Sequence, residues 1–93
     1  MNEQVSSMQQ DYEAFLKKHD LDIDTHFYTQ DEWQARGEPF GNNAELSLTF
    51  EGALYHLLNY HGGELADAFY AIAGKYGYYV DLGYAWSAHF YKL

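Results

Sequence analysis

From Tyr78 to Tyr91 the chain alternates without a break. Tyr78, Val80, Leu82, Tyr84, Trp86, Ala88 and Phe90 are apolar at spacing two, and Tyr79, Asp81, Gly83, Ala85, Ser87, His89 and Tyr91 fill the places between. Strict alternation is the mark of a strand with one face on a core. One straight strand of that length would run about 40 Å, at about 3.3 Å per residue. A compact chain of 93 residues has a radius of gyration of only about 12 Å. The stretch must therefore bend or reverse, and Gly83 is the residue that permits it. The reading is a hairpin, with strands at about 78–82 and 84–91. One bulged strand, or a short helix closing 84–91, is the alternative. Glu45 to Thr49 (ELSLT) alternates too and supplies a further strand, with Leu46 and Leu48 inward.

The rest of the chain turns at the helical period. Val5, Met8, Tyr12, Phe15, Leu16 and His19 form one stripe of a helix over about 3–18. Glu13 and Lys17 stand i,i+4 in the favourable order. Thr29-Gln-Asp-Glu32 is a capping box that opens a short helix, about 30–36, with Trp33 as its buried anchor. Phe50, Ala53, Leu54, Leu57 and Leu58 give an apolar face over about 50–60, with Thr49 as its cap. Leu65, Phe69, Ile72, Ala73 and Tyr76 give another over about 64–76, making an antiparallel helix pair across Gly62 and Gly63. The segment between His19 and Tyr28 (HDLDIDTHFY) alternates acid and apolar. It reads as an edge strand or a solvated loop. A calcium loop would need Gly at its sixth position and Glu at its twelfth, where Thr25 and Asp31 stand. The expected fold class is α+β, one domain over 1–93, with three to four helices on a small antiparallel sheet.

Charge narrows the partners. Fourteen carboxylates face five basic side chains, a net charge of −9 with histidines neutral. The charge is uneven: residues 1–45 carry a net −7, while twelve of the eighteen aromatic residues lie after them. Phosphate contacts require clustered Lys and Arg, and the chain has one Arg, so direct nucleic-acid binding is not expected. An acidic surface is also repelled by anionic lipid headgroups. No Cys is present, which favours a reducing compartment, the cytoplasm. Met1 to Gln10 carries no basic patch followed by an apolar run, so no signal peptide is expected there.

No catalytic set stands out. Five histidines occur, but none pairs at the i,i+4 spacing of a helical zinc motif. His56 and His61, five apart, would point about 140° from one another on an α-helix. Ser87 and His89 share one strand face and are near neighbours there, without a nucleophile elbow around the serine. No cofactor, no metal and no enzymatic activity are expected. Ten Tyr are more than so small a core can hold, because each buried hydroxyl needs a partner. Tyr79 and Tyr91, on the less apolar strand face, are candidates for a contact surface.

The expected function is that of a non-catalytic acidic module that binds a protein with a basic surface. Its finer form is a nucleic-acid mimic that inhibits a DNA- or RNA-handling protein, in the manner of the anti-restriction or anti-CRISPR proteins of phages and plasmids. Asp11, Glu13, Asp20, Asp22, Asp24, Asp31 and Glu32 are the candidate acidic face. The alternative is a small homo-oligomer, a homodimer for example, that uses Tyr79 and Tyr91 for self-association or for a small ligand.

Overall fold

Asn2 opens the first helix, accepting the Val5 amide at 2.7 Å in a computed structural model that describes residues 2–93. Helix α1 spans Glu3–Lys18 and buries Val5, Met8, Tyr12 and Leu16, the stripe its period predicts. It ends in a Schellman turn. The Leu21 amide donates to the Leu16 carbonyl and the Asp20 amide to the Lys17 carbonyl. Asp20 takes the left-handed conformation, φ 57°, where glycine is commonest. Leu21 is buried beside the turn it closes.

The acidic run then becomes a turn and a strand, β1, Thr25–Thr29. Strand β2 is Leu46–Phe50, β3 is Tyr78–Leu82 and β4 is Ser87–Lys92. They form one antiparallel sheet in the order β1-β2-β4-β3. The hairpin reading of 78–91 holds, but its second strand starts later than the expected 84. Tyr84–Trp86 form the turn with Gly83, closed by the Ser87 amide on the Tyr84 carbonyl and the Tyr84 amide on Ser87 Oγ. Helix α2, Gln30–Ala35, carries the full capping box, with Thr29 and Glu32 bonding each other's backbone amides.

Three further expectations need correction. The strand at 25–29 adds a fourth member to the three-strand sheet. The helix placed over 50–60 starts late, because Phe50 is the last residue of β2 and pairs with Thr25. Thr49 caps nothing: Gly52 is the N-cap of α3, Ala53–His56, without a side-chain bond. Ladder pairing on both sides of β2 outweighs the helical spacing of Phe50, which also donates its amide to the Trp86 carbonyl. The same helix then widens into a π-turn, Leu57–His61, closed by the bond from the Gly62 amide to the Leu57 carbonyl. In that turn residues five apart are the hydrogen-bonded neighbours, so the α-helical angle between His56 and His61 does not apply.

Helix α4, Gly63–Lys75, buries Ala66, Phe69 and Ala73. It packs against α1 as well as against the π-turn, so the seam with α1 joins the expected helix pair in holding it. The Tyr12 ring lies 4.9 Å from Phe69 and 5.0 Å from Phe90. Its hydroxyl donates to the Phe69 carbonyl at 2.6 Å and accepts from the Ala73 amide at 3.1 Å. One side chain of α1 thereby bridges a turn of α4 in the dry interior, and burial pushes the Tyr12 hydroxyl well above the usual tyrosine range.

The register gives the sheet two unlike faces. Phe27, Leu46, Leu48, Phe50, Val80, Leu82, Ala88 and Phe90 point to the helices and form the core. His26, Tyr28, Ser47, Thr49, Tyr79, Asp81, Ser87, His89 and Tyr91 lie on the outer face. Part of that outer face is covered by α2 and the loop that follows it. Trp33 descends onto it and is fully buried, as the capping-box reading requires.

Candidate functional site

The acidic residues are built onto three pieces of backbone: α1, the turn between α1 and β1, and the start of α2, which carries Asp31. Glu13 stands on the outer side of α1. Asp20, Asp22 and Asp24 are fixed by the turn between α1 and β1, and Asp24 is itself left-handed at φ 61°. The turn is held by two bonds. The Thr25 hydroxyl donates to the Asp22 carbonyl at 2.6 Å, and the Glu51 amide donates to the Asp24 carbonyl at 3.3 Å. Glu13, Asp20, Asp22, Asp24 and Asp31 are all exposed. None of them has a basic partner within 4.0 Å among the described residues.

Two of the named acids do other work. Asp11 sits on the seam between α1 and α4, 2.6 Å from the Lys75 ammonium, and accepts the Tyr76 hydroxyl at 2.5 Å. The Lys75 ammonium first, and the Tyr76 hydroxyl next, hold its carboxyl below the usual range. Gln4 adds a bond to the Tyr76 carbonyl. Asp11 is thus a tie between helices. Glu32 is held below its usual range by the Thr29 amide first and the Thr29 hydroxyl next, so its charge is spent on the capping box.

The remaining acids do not form one plane. Glu13 and Asp22 line a hollow of about 410 Å³ between α1 and β1, with Gln9, Lys17, His26 and Phe27. Asp24 lines another, of about 480 Å³, with Glu38, Glu51, Arg36 and Trp86. Asp31 lines a third with Glu45. The run from Asp20 to Asp24 joins the first two. Glu38 and Glu51 are acids that sequence spacing did not single out. They reach this region because β1 pairs with β2 and because the loop after α2 returns to the sheet. The Arg36 guanidinium sits 3.5 Å from Glu38, donates to the Tyr28 hydroxyl, and lies over the Tyr28 and Trp33 rings.

The aromatic candidates do come together. Tyr79 and Tyr91 are register partners on β3 and β4, with rings stacked 5.4 Å apart at 25°. Tyr79 is 47% exposed and lies on a strand whose outer edge is unpaired. A second, half-buried stack joins Tyr84 and Trp86, centroids 4.6 Å apart, with the edge of Phe40 against Tyr84.

The Ser87–His89 neighbours also meet, inside the protein. Ser87 Oγ is 3.0 Å from His89 Nε2, and Ser47 Oγ is 2.9 Å from Nδ1. All three residues are buried. The Trp33 ring stands edge-on to the imidazole at 4.9 Å. Gly41 and Gly83 press against it so closely that a Cβ on either would collide with the ring. Ser47 had no signal in the sequence, because its alternation marked it as outward-facing. It is indeed outward on the sheet, but it lies beneath α2 and its loop. Among the described residues no three His, Asp or Glu side chains are gathered as metal ligands, and no helix is long and apolar enough to cross a membrane. Comparison with known proteins finds no matching family model, curated protein or solved structure.

Proposed function

We propose that the protein is a non-catalytic acidic module that works by binding a basic surface on another protein. The observation that carries this reading is the set of exposed carboxylates without basic partners within 4.0 Å among the described residues, Glu13, Asp20, Asp22 and Asp24 around the α1–β1 turn, with Asp31 at the far end of β1. A structural role would pair or cap them, as it does Asp11 and Glu32. Left free in water, they cost little and serve long-range attraction. In the finer form of the proposal the array occupies the groove of a DNA- or RNA-handling protein as a mimic of phosphate charge and so inhibits it. A chain without Cys suits a cytoplasmic setting for that encounter.

The test uses the triple variant Asp20→Asn, Asp22→Asn and Asp24→Asn. Asn tolerates the left-handed backbone as Asp does, so the variant is expected to keep its urea midpoint. Capture of a basic partner from host lysate should be strong at low ionic strength, fall steeply with salt, and be lost in the variant. Capture that is insensitive to both salt and the variant would defeat the proposal.

A second reading rests on the Tyr79–Tyr91 stack beside the open edge of β3. There a second copy of the chain would add its own edge and cover the rings. It predicts a dimer mass by light scattering that Tyr79→Ala reduces to the monomer. A monomer at high concentration removes it.

A further inference from the structure

The connection between β1 and β2 is built as a separable flap. Its ends are close, because Thr29 and Leu46 are register partners, a separation of about 5 Å. Between them, residues 30–44 are held largely to one another. Gln30 and Gln34 both donate to the Asn42 carbonyl, Asn42 donates to the Glu38 carbonyl, and Trp33 Nε1 donates to the Phe40 carbonyl at 2.6 Å. This is the plan of an Ω-loop, in which near ends bracket a segment packed by its own side chains. Such a segment can lift as a unit without breaking its internal bonds.

What holds it down centres on one ring, with Arg36 on the Tyr28 hydroxyl and Phe40 against Tyr84 as ties at its margins. Trp33 and Gly41 close on His89 from the flap side, and Gly83 closes on it from the β3–β4 turn. The imidazole is bracketed by two hydroxyls. A neutral imidazole donates at one nitrogen and accepts at the other, so one serine gives it a hydrogen bond and the other receives one. A second ring proton leaves no acceptor for the serine that was donating. Its hydroxyl hydrogen must then turn into a sealed site, beside a buried cation. Both consequences are unfavourable in a dry environment, and lifting the flap to admit water relieves both.

We propose that residues 30–44 are a lid over the outer face of the sheet, latched on the neutral His89 ring and released when that ring takes a proton. The groups that face the latch are few. Asp81 lies opposite His89 on β3. On the lid, Arg36 lies over Trp33 and is paired with Glu38, and Asp31 and Glu32 are exposed at the start of α2. Burial holds the imidazole below its usual 6.5, and Asp81 draws it part of the way back. The lifted state takes up its proton near the ordinary value, while the closed state resists it. Closure is therefore favoured above pH 6.5 and weakens as the pH falls below that value. Release uncovers Trp33, Ser47, Ser87 and the imidazole, an aromatic and hydrogen-bonding surface absent from the closed form.

The experiment follows Trp33 alone, in a Trp86→Phe chain, by acrylamide quenching over a falling pH series, with far-ultraviolet circular dichroism on the same samples. Trp33 is expected to lose its protection below pH 6.5 while the helical signal is still intact. His89→Gln keeps a donor and an acceptor but carries no charge, and leaves the carboxylates of the lid in place. It should abolish the early loss. Asp81→Asn removes the charge that favours the imidazolium in the closed state, widens the difference in proton affinity between the two states, and should move the loss to higher pH. Protection that persists until the helices melt, or an early loss unchanged in His89→Gln, would overturn the proposal. Should His89→Gln fail to fold, an unmoved midpoint in Asp81→Asn overturns it equally.

Discussion

Phe69→Ala is expected to leave the domain at the edge of unfolding. The side chain is fully buried and touches the rings of Tyr12 and Phe15. It therefore joins α4 to α1 at the same point where the Tyr12 hydroxyl bridges the α4 backbone. Truncating a buried Phe costs about 3–5 kcal/mol, as lost transfer energy plus the cavity left behind. The total stability of a domain of this size is about 5–14 kcal/mol, from 0.05–0.15 kcal/mol per residue. The cavity would open beneath Tyr12, whose hydroxyl is fixed to the α4 backbone and cannot readily follow the collapse. Leu57→Ala, at the π-turn, falls in the range of about 2–5 kcal/mol, and its position at the margin of the core favours the lower end. Urea midpoints measured together should place Phe69→Ala well below Leu57→Ala. Equal midpoints would mean that the α1–α4 seam is not where the stability resides.

Most of this architecture was legible because burial in it is periodic. The α1 stripe, the capping box, the Trp33 anchor and the 78–91 hairpin each follow from one local pattern that tertiary packing reinforces. The misreadings occur where a local pattern fits two structures. Phe50 fits a helix at i, i+3, i+4 as well as a strand after Leu48, and only pairing with β1 decides between them. β1 itself was ambiguous because it is a five-residue edge strand whose outward side chains are His26 and Tyr28, and because it runs on directly from the acidic alternation of Asp20, Asp22 and Asp24. The Schellman turn at Asp20 was hidden because aspartate stands where glycine usually signals a helix end. The candidate acidic face was legible as charge but not as geometry. Spacing cannot tell Asp11, which meets Lys75 across the chain, from Glu13, which is exposed and has no ion-pair partner within 4.0 Å among the described residues. The latch on His89 was half legible: Ser87 is its neighbour by strand period, whereas Ser47, Trp33 and Gly41 come from distant parts of the chain.

Gly41 and Gly37 offer a paired measurement of how tightly that latch closes. Both take the left-handed backbone, at φ 80° and φ 76°. Alanine at either position meets the same conformational penalty, about 1–2 kcal/mol. They differ in surroundings. Nothing lies within 4 Å of a Cβ on Gly37, whereas a Cβ on Gly41 would come within 2.3 Å of His89 Nδ1. The ring has little room to retreat, since Gly83 approaches it on the Nε2 side and both nitrogens are engaged by hydroxyls. Overpacking of this kind costs about 1–3 kcal/mol more. Gly41→Ala should therefore lower the urea midpoint well beyond Gly37→Ala, at a similar slope. In a His89→Ala background the ring is gone and only the backbone penalty remains, so the two glycine variants should become equivalent. A difference that survives removal of the ring would show that Gly41 acts through something other than its contact with His89.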